Sequence, residues 1–220
     1  MEPVLVVLQT VLLVALAPLF DGVVARIKAR LQMRRGASVF QRYFDLARLL
    51  HKESIVSEDA SWLARCTPYL ALAAVLTAAS WTPVLATHNG LSFAGDLVMT
   101  VALLAFMRIL ISLAALECGT AFGGMAASRH LALSALAEPA LMLAVFTLAL
   151  GAGSTELARI SESVLLAPHG WLAPSHLLAL AAMGLVLVSE TGRVPVDDST
   201  THLELTMVHE GLVLDYSGRY

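Results

Sequence analysis

Charge is what this sequence has least of. Asp, Glu, Lys and Arg make up only 14% of it, against about 25% in ordinary soluble domains, so a solvated globular domain is excluded as its main body. The net charge of −3 is small and says little about partners; no nucleic-acid partner is expected. Cysteine is scarce as well. Cys66 and Cys118 lie far apart with no ligand spacing between them, which argues for two buried thiols rather than a metal site or a disulfide. The chain starts Met1-Glu2-Pro3, with no basic segment ahead of the first apolar run and no small-residue cleavage site after it. A retained first helix is expected rather than a signal peptide. There is no internal repeat and no low-complexity stretch. No nucleophile–base set is visible, so catalysis by this chain alone is not expected.

What is there is apolar. Hydrophobic residues form 58% of the 220 and the mean hydropathy is +0.76. Runs of about 20 apolar residues are the mark of membrane-spanning helices. Five are expected, near 4–25, 67–87, 97–116, 131–151 and 171–189, so the fold class is all-α: one polytopic membrane helix bundle over 1–220. The first run contains Pro18 and is interrupted at Asp21-Gly22, where Asp21 reads as a helix-end carboxylate in water or as a functional group. The second carries no charge. The third holds Arg108 and ends at Glu117, the fourth holds Glu138-Pro139, and the fifth has His176 near its start. Gly119–His130 reads as a glycine-rich turn, and 154–168 as a short loop with helical spacing.

The connection 26–66 is long and polar. It opens with Arg26, Lys28, Arg30, Arg34 and Arg35, a cluster suited to lipid headgroups or to docking a partner. Phe40, Tyr43, Phe44, Ala47 and Leu50 then fall on one face of a helix, opposite Arg42, Asp45, Arg48 and Lys52. That is an amphipathic helix for the membrane surface or for the underside of a partner subunit. The basic residues also set orientation. Nine lie in 26–66, one in 117–130 and two in 190–220, leaving only Arg108 and Arg159. Excess Lys and Arg marks the cytoplasmic side, which puts the N-terminus outside.

Inside a bilayer an ionisable side chain costs about 2.5–3.5 kcal/mol on insertion scales, and it usually faces protein or a water cavity on an ion path. Arg108 and Glu138 are the two clear cases, with Glu117 close behind. Burial drives a carboxylate toward its neutral form, which lets it hold and release a proton. Glu117, Glu138 and Glu190 therefore suggest a proton relay. The alternative is that Arg108 pairs with one acid as structural glue, and the presence of several acids favours the relay. Pro139 frees backbone carbonyls that water can bond.

The terminal stretch from Glu190 adds Asp197, Asp198, Glu204, Glu210 and Asp215, with His202 and His209. The pattern from Ser199 to Leu212 suits a helix capped by Ser199 or Thr200. His202 and His209 are seven apart on one face, whereas a two-histidine metal site prefers i, i+4. Proton relay or hydrogen bonding suits them better, and a satisfied polar contact is the plain alternative.

Several motifs carry a family resemblance. Gly192-Arg193-Val194-Pro195 followed by Asp197, then THLELTMVHEG (201–211) and LDYSGR (214–219), resembles the loop after the fifth helix in the subunit 1 family of complex I. The wording is most similar to the branch found in membrane-bound nickel–iron hydrogenases of the formate hydrogenlyase and hydrogenase-4 type. Val196 stands where the quinone-reducing branch has Phe. Arg26-x-Lys28-Ala29, Arg35-Gly36, Gln41-x-Tyr43-x-Asp45-Leu46, GTAFGGMAASR (119–129) and LSALAEPALML (133–143) match too, with Ala37 where Pro is common. The resemblance implies a non-catalytic membrane subunit of a proton-translocating redox complex. Its partners would be the hydrogenase large and small subunits, an iron–sulfur subunit and antiporter-like membrane subunits, in a bacterial or archaeal cytoplasmic membrane. The nickel–iron centre and iron–sulfur clusters are expected in those partners, and no cofactor in this chain. Glu117 and Glu138 would form the membrane part of a proton path. Glu190, Asp197, Glu204 and Glu210, with Arg108, His202 and His209, would complete it. Arg26, Lys28, Arg34, Arg35, Arg193 and Asp215 would face partners. Family members carry further spans, so the missing helices are expected from a longer chain or a second polypeptide. A quinone-reducing complex I subunit is the alternative, and a stand-alone transporter or channel is one of another class.

Overall fold

The computed structural model describes residues 2–54, 61–84, 95–117, 119–166, 168–192, 197, 208–214 and 216–218. Its elements are α1 (Glu2–Leu31), α2 (Gln41–Leu50), α3 (Trp62–Trp81), α4 (Leu97–Glu117), α5 (Ala121–Ala152), α6 (Leu157–Leu166), α7 (Pro174–Glu190) and the short α8 (His209–Val213). A 3-10 turn, Pro168–Leu172, leads into α7. Among the described residues, four helices, α1, α3, α4 and α5, are long and apolar enough to cross a membrane. The 17 residues of α7 reach about 26 Å at 1.5 Å per residue, a little under a hydrocarbon core of about 30 Å. The chain is a multi-pass, all-α membrane protein.

Local signals set the helix ends. Ser61 caps α3 by accepting from the Leu63 N–H at 3.1 Å, and α3 stops at Trp81, just before Thr82-Pro83. Asp96 accepts from Val98 N–H at 2.7 Å to open α4. Thr120 accepts from Gly123 N–H at 3.1 Å, so α5 begins at Ala121. The stretch read as a glycine-rich turn is therefore mostly helix, because the threonine cap outweighs the low helix preference of Gly123 and Gly124. Gly153, in the left-handed region at φ 67°, ends α5.

Two further boundaries differ from expectation. The first helix runs on to Leu31 and carries Arg26, Lys28 and Arg30 on it, where basic groups favour a helix C-terminus. Glu190 is the last residue of α7 rather than the first of a loop. Of the helix expected over 199–212, only the α8 end is described, and 198–207, including Ser199 and Thr200, lies outside the described residues. Cys66 is a free, half-buried thiol; Cys118 lies outside the description.

Neighbouring helices meet through small residues, which let backbones approach closely in lipid. Ala74 and Ala78 of α3, Ala114 and Ala115 of α4, and Ala127 of α5 are buried. Leu136, Leu143 and Leu150 of α5 point outward, each at least 70% exposed, as lipid-facing side chains do. Gln9, buried on α1, donates to the Ser80 carbonyl of α3 at 2.7 Å.

At one end of the bundle, hereafter the basic end, α2 lies against α1. Asp21 pairs with Arg42 at 2.6 Å, and the Tyr43 hydroxyl donates to the Ala15 carbonyl near Pro18. A Cβ on Gly22 would stand 2.1 Å from the Val39 carbonyl oxygen, so glycine is what lets the approach to α2 cross α1. No residue of α2 is buried, and Phe40, Phe44 and Leu50 remain exposed. At the opposite end α6 is tied to the start of α4, where Thr155 donates to Asp96 at 2.8 Å.

Candidate functional site

The candidate site sits where α4, α5 and α7 meet. Arg108 is placed by an apolar helix that has no other charge before Glu117. Its guanidinium is held by two carboxylates. Nη2 lies 3.3 Å from Glu138 Oε1 on α5 and Nη1 lies 2.7 Å from Glu190 Oε2 at the end of α7. The Arg108 side chain is 11% exposed, Glu190 16% and Glu138 35%. Arg108 Nε is buried and has no hydrogen-bond partner among the described residues. One arginine thus binds two of the expected acids at once.

The polar cluster extends to residues that sequence reasoning missed. Ser112, one turn after Arg108 and fully buried, donates to the Arg108 carbonyl at 3.0 Å and meets His130 Nδ1 of α5 at 2.9 Å. His130, Ser134 and Glu138 recur at i, i+4, i+8, one face of α5. That spacing is present in the sequence, but the glycines of 119–130 point to a turn and hide it. A cavity of about 20 Å³ lies beside them, lined in part by His130, Ser134, Ser189, Glu190, Asp197 and His209. That is room for about one water among several polar partners.

Other expected residues fall around this centre. Asp197 accepts from the Val208 and His209 N–H groups at 3.3 and 2.9 Å, holding the start of α8. The α8 segment packs Val208 and Leu212 onto Ala115, Ala126 and Ala127. His209 reaches the cavity but is largely exposed, and Glu210 is exposed in the first turn of α8. Glu117 stands apart. Its carboxylate accepts from Ser61 N–H at 2.7 Å and Ala64 N–H at 3.1 Å, which places it as a second cap on α3. It is nine residues from Arg108, about 14 Å along α4. Arg26, Lys28, Arg34 and Arg35 are exposed at the basic end. Arg193, His202, Glu204 and Asp215, as well as Asp198, lie outside the described residues.

The family model described as NADH dehydrogenase matches residues 3–220. The chain belongs to the NADH dehydrogenase family. Within this family the chain is 35% identical over 211 residues to hydrogenase-4 component C of Escherichia coli (strain K12), covering 96% of this chain and 65% of that protein. It is equally 35% identical over 211 residues to formate hydrogenlyase subunit 4 of the same strain, covering 96% and 67%. The chain therefore spans about two thirds of the length of these relatives. Among solved structures, a chain of the membrane-bound sulfane sulfur reductase, an archaeal respiratory membrane complex, superposes with a TM-score of 0.73 at 21% identity. That match covers 97% of this chain and 70% of the other, and it shows that the family fold is shared. The resemblance read from the terminal motif is confirmed by these matches.

Proposed function

We propose that this chain is a membrane subunit of a proton-translocating nickel–iron hydrogenase or formate hydrogenlyase-like complex. It anchors the soluble hydrogenase module and couples redox chemistry to proton movement. The observation that carries this reading is the Arg108–Glu138–Glu190 cluster, an ion-paired acid pair inside a largely apolar bundle. Intramembrane ionisable groups of this kind mark ion and proton routes. Similarity to hydrogenase-4 component C and formate hydrogenlyase subunit 4 supports the choice of complex.

In this reading the basic end is cytoplasmic and the N-terminus lies outside a bacterial or archaeal cytoplasmic membrane. The skewed distribution of Lys and Arg supports that orientation. The hydrogenase large and small subunits and an iron–sulfur subunit dock over the basic end and the terminal segment. Antiporter-like subunits pack laterally. The nickel–iron centre and iron–sulfur clusters belong to those partners. Protons enter from the cavity beside Asp197 and His209 and pass to Glu190 and Glu138, with Arg108 holding the acids in place.

Glu138→Gln in the intact complex tests this. The complex is expected to assemble while the protons moved per hydrogen formed fall toward zero. Unchanged translocation would remove the cluster from the path and sink the reading.

A quinone-reducing role is the second reading, and one feature bears on it. A groove of about 240 Å³ lies between α1 and α2, lined by Pro18, Asp21, Arg42, Asp45, Leu46 and Leu49. It is smaller than the roughly 300–1,000 Å³ of most ligand pockets, and the described terminal residues do not line it. Photolabelling of these residues by a quinone analogue would support that reading; labelling elsewhere would not. Ion transport by this chain alone in liposomes would instead favour a stand-alone transporter.

A further inference from the structure

We propose that His130 is a proton-transfer residue in the cavity it shares with Glu190, Asp197 and His209, passing protons on to Glu190 and the Arg108–Glu138 pair. The proposal rests on the proton-coupling reading above and assigns a new residue to it.

A serine hydroxyl has a single proton to donate. Ser112 Oγ lies 3.0 Å from the Arg108 carbonyl oxygen, which can only accept. Its proton is therefore committed there. Ser112 Oγ also lies 2.9 Å from His130 Nδ1, and in that contact the hydrogen must sit on Nδ1. The neutral imidazole accordingly carries its proton on Nδ1, which leaves Nε2 as a bare acceptor. A ring fixed in one tautomer by a second residue is how histidines are set up to take a proton at the other nitrogen.

The surroundings supply both source and destination. His130 lines the same water-sized cavity as Glu190, Asp197 and His209. Among the described residues, the charged or titratable groups facing it are Glu190 from α7, Arg108 from α4, and His209 and Asp197 from the terminal segment. A protonated cavity water gives up an O–H bond as Nε2–H forms. The imidazolium keeps its Nδ1–H bond to Ser112. Nε2–H then breaks and, through the cavity water, an O–H bond forms on Glu190. No electron moves, and the ring returns to its starting tautomer without turning over.

A purely structural His130 would simply tie α5 to α4 through Ser112. His130→Asn separates the two roles, because the Asn amide N–H stands close to where Nδ1–H was and can keep the bond to Ser112, yet it cannot carry a proton. The intact complex, reconstituted in liposomes, is assayed for protons moved per hydrogen formed, alongside Glu138→Gln. The expected result is a fall of about ten-fold or more with His130→Asn, partly restored by added imidazole. Wild-type coupling in His130→Asn, with coupling lost in Glu138→Gln, overturns the role of His130 alone. Wild-type coupling in Glu138→Gln overturns the underlying reading instead. Should His130→Asn fail to assemble, Ser112→Ala decides. Loss of the tautomer lock is expected to shift the pH profile of coupling, and an unshifted profile overturns the proposal.

Discussion

Arg108 holds two acids that would otherwise face each other in a low-dielectric interior. Removing one partner of a buried ion pair costs about 3–5 kcal/mol, because it strands the remaining charge. Arg108→Gln is expected to destabilise the protein on that scale, measured as a clear drop in unfolding temperature in detergent. Glu117 makes a different prediction. Its carboxylate serves two backbone N–H groups at the start of α3, so Glu117→Ala is expected to speed amide exchange at Ser61 and Ala64 while leaving the Arg108 cluster bonded. Loss of the Arg108–Glu138 contact in that variant, seen by structure determination, would count against a local role. At this scale the sequence was partly legible. Arg108 and Glu138 stood out because a charge in an apolar run is costly and rare. Pairing of Arg108 with one acid was the less favoured alternative to a relay, and the structure shows it held by two. Glu117 looked like its neighbours in kind, and only the fold separates a cap from a cluster member.

At the scale of elements, spans were easy to read and boundaries were not. Hydropathy marks a run but not its end, so it closes α1 at 25 although helix persists to Leu31, and the glycines make the first ten residues of α5 read as a turn. The glycines misled because their use here is contact. Gly211 of α8 is the sharpest example, since a Cβ there would lie 2.6 Å from the Ala126 Cβ. Gly211→Val is expected to lift α8 from α4 and α5, with an overpacking penalty of about 1–3 kcal/mol. Faster proteolysis within the terminal segment would register it; wild-type protection would refute it. The amphipathic α2 was legible from its 3–4 spacing. That its polar side grips α1 through Arg42 and Asp21 was not, because Asp21 and Arg42 are remote in sequence.

For the whole molecule, the proposed orientation yields a direct test. Met33 at the basic end is 96% exposed and Arg159 at the other end is an exposed side chain on α6. With Cys66 and Cys118 replaced by Ser, Met33→Cys is expected to react with a membrane-impermeant thiol reagent only from the cytoplasmic face. Arg159→Cys is expected to react only from the outer one. The opposite pattern would invert the topology and move the proposed partners to the wrong side. The fold class was legible in composition alone, because a chain this poor in charge has few ways to stay folded outside a bilayer. The joining of three helices at one guanidinium was not, and it has a mechanical side. Arg108 belongs to α4 and grips α5 and α7 by one carboxylate each. A proton on Glu190 slackens the hold on α7 and leaves α5 fastened; a proton on Glu138 does the reverse. On the proposed proton path, a proton reaching this point would also change which helix the bundle is holding.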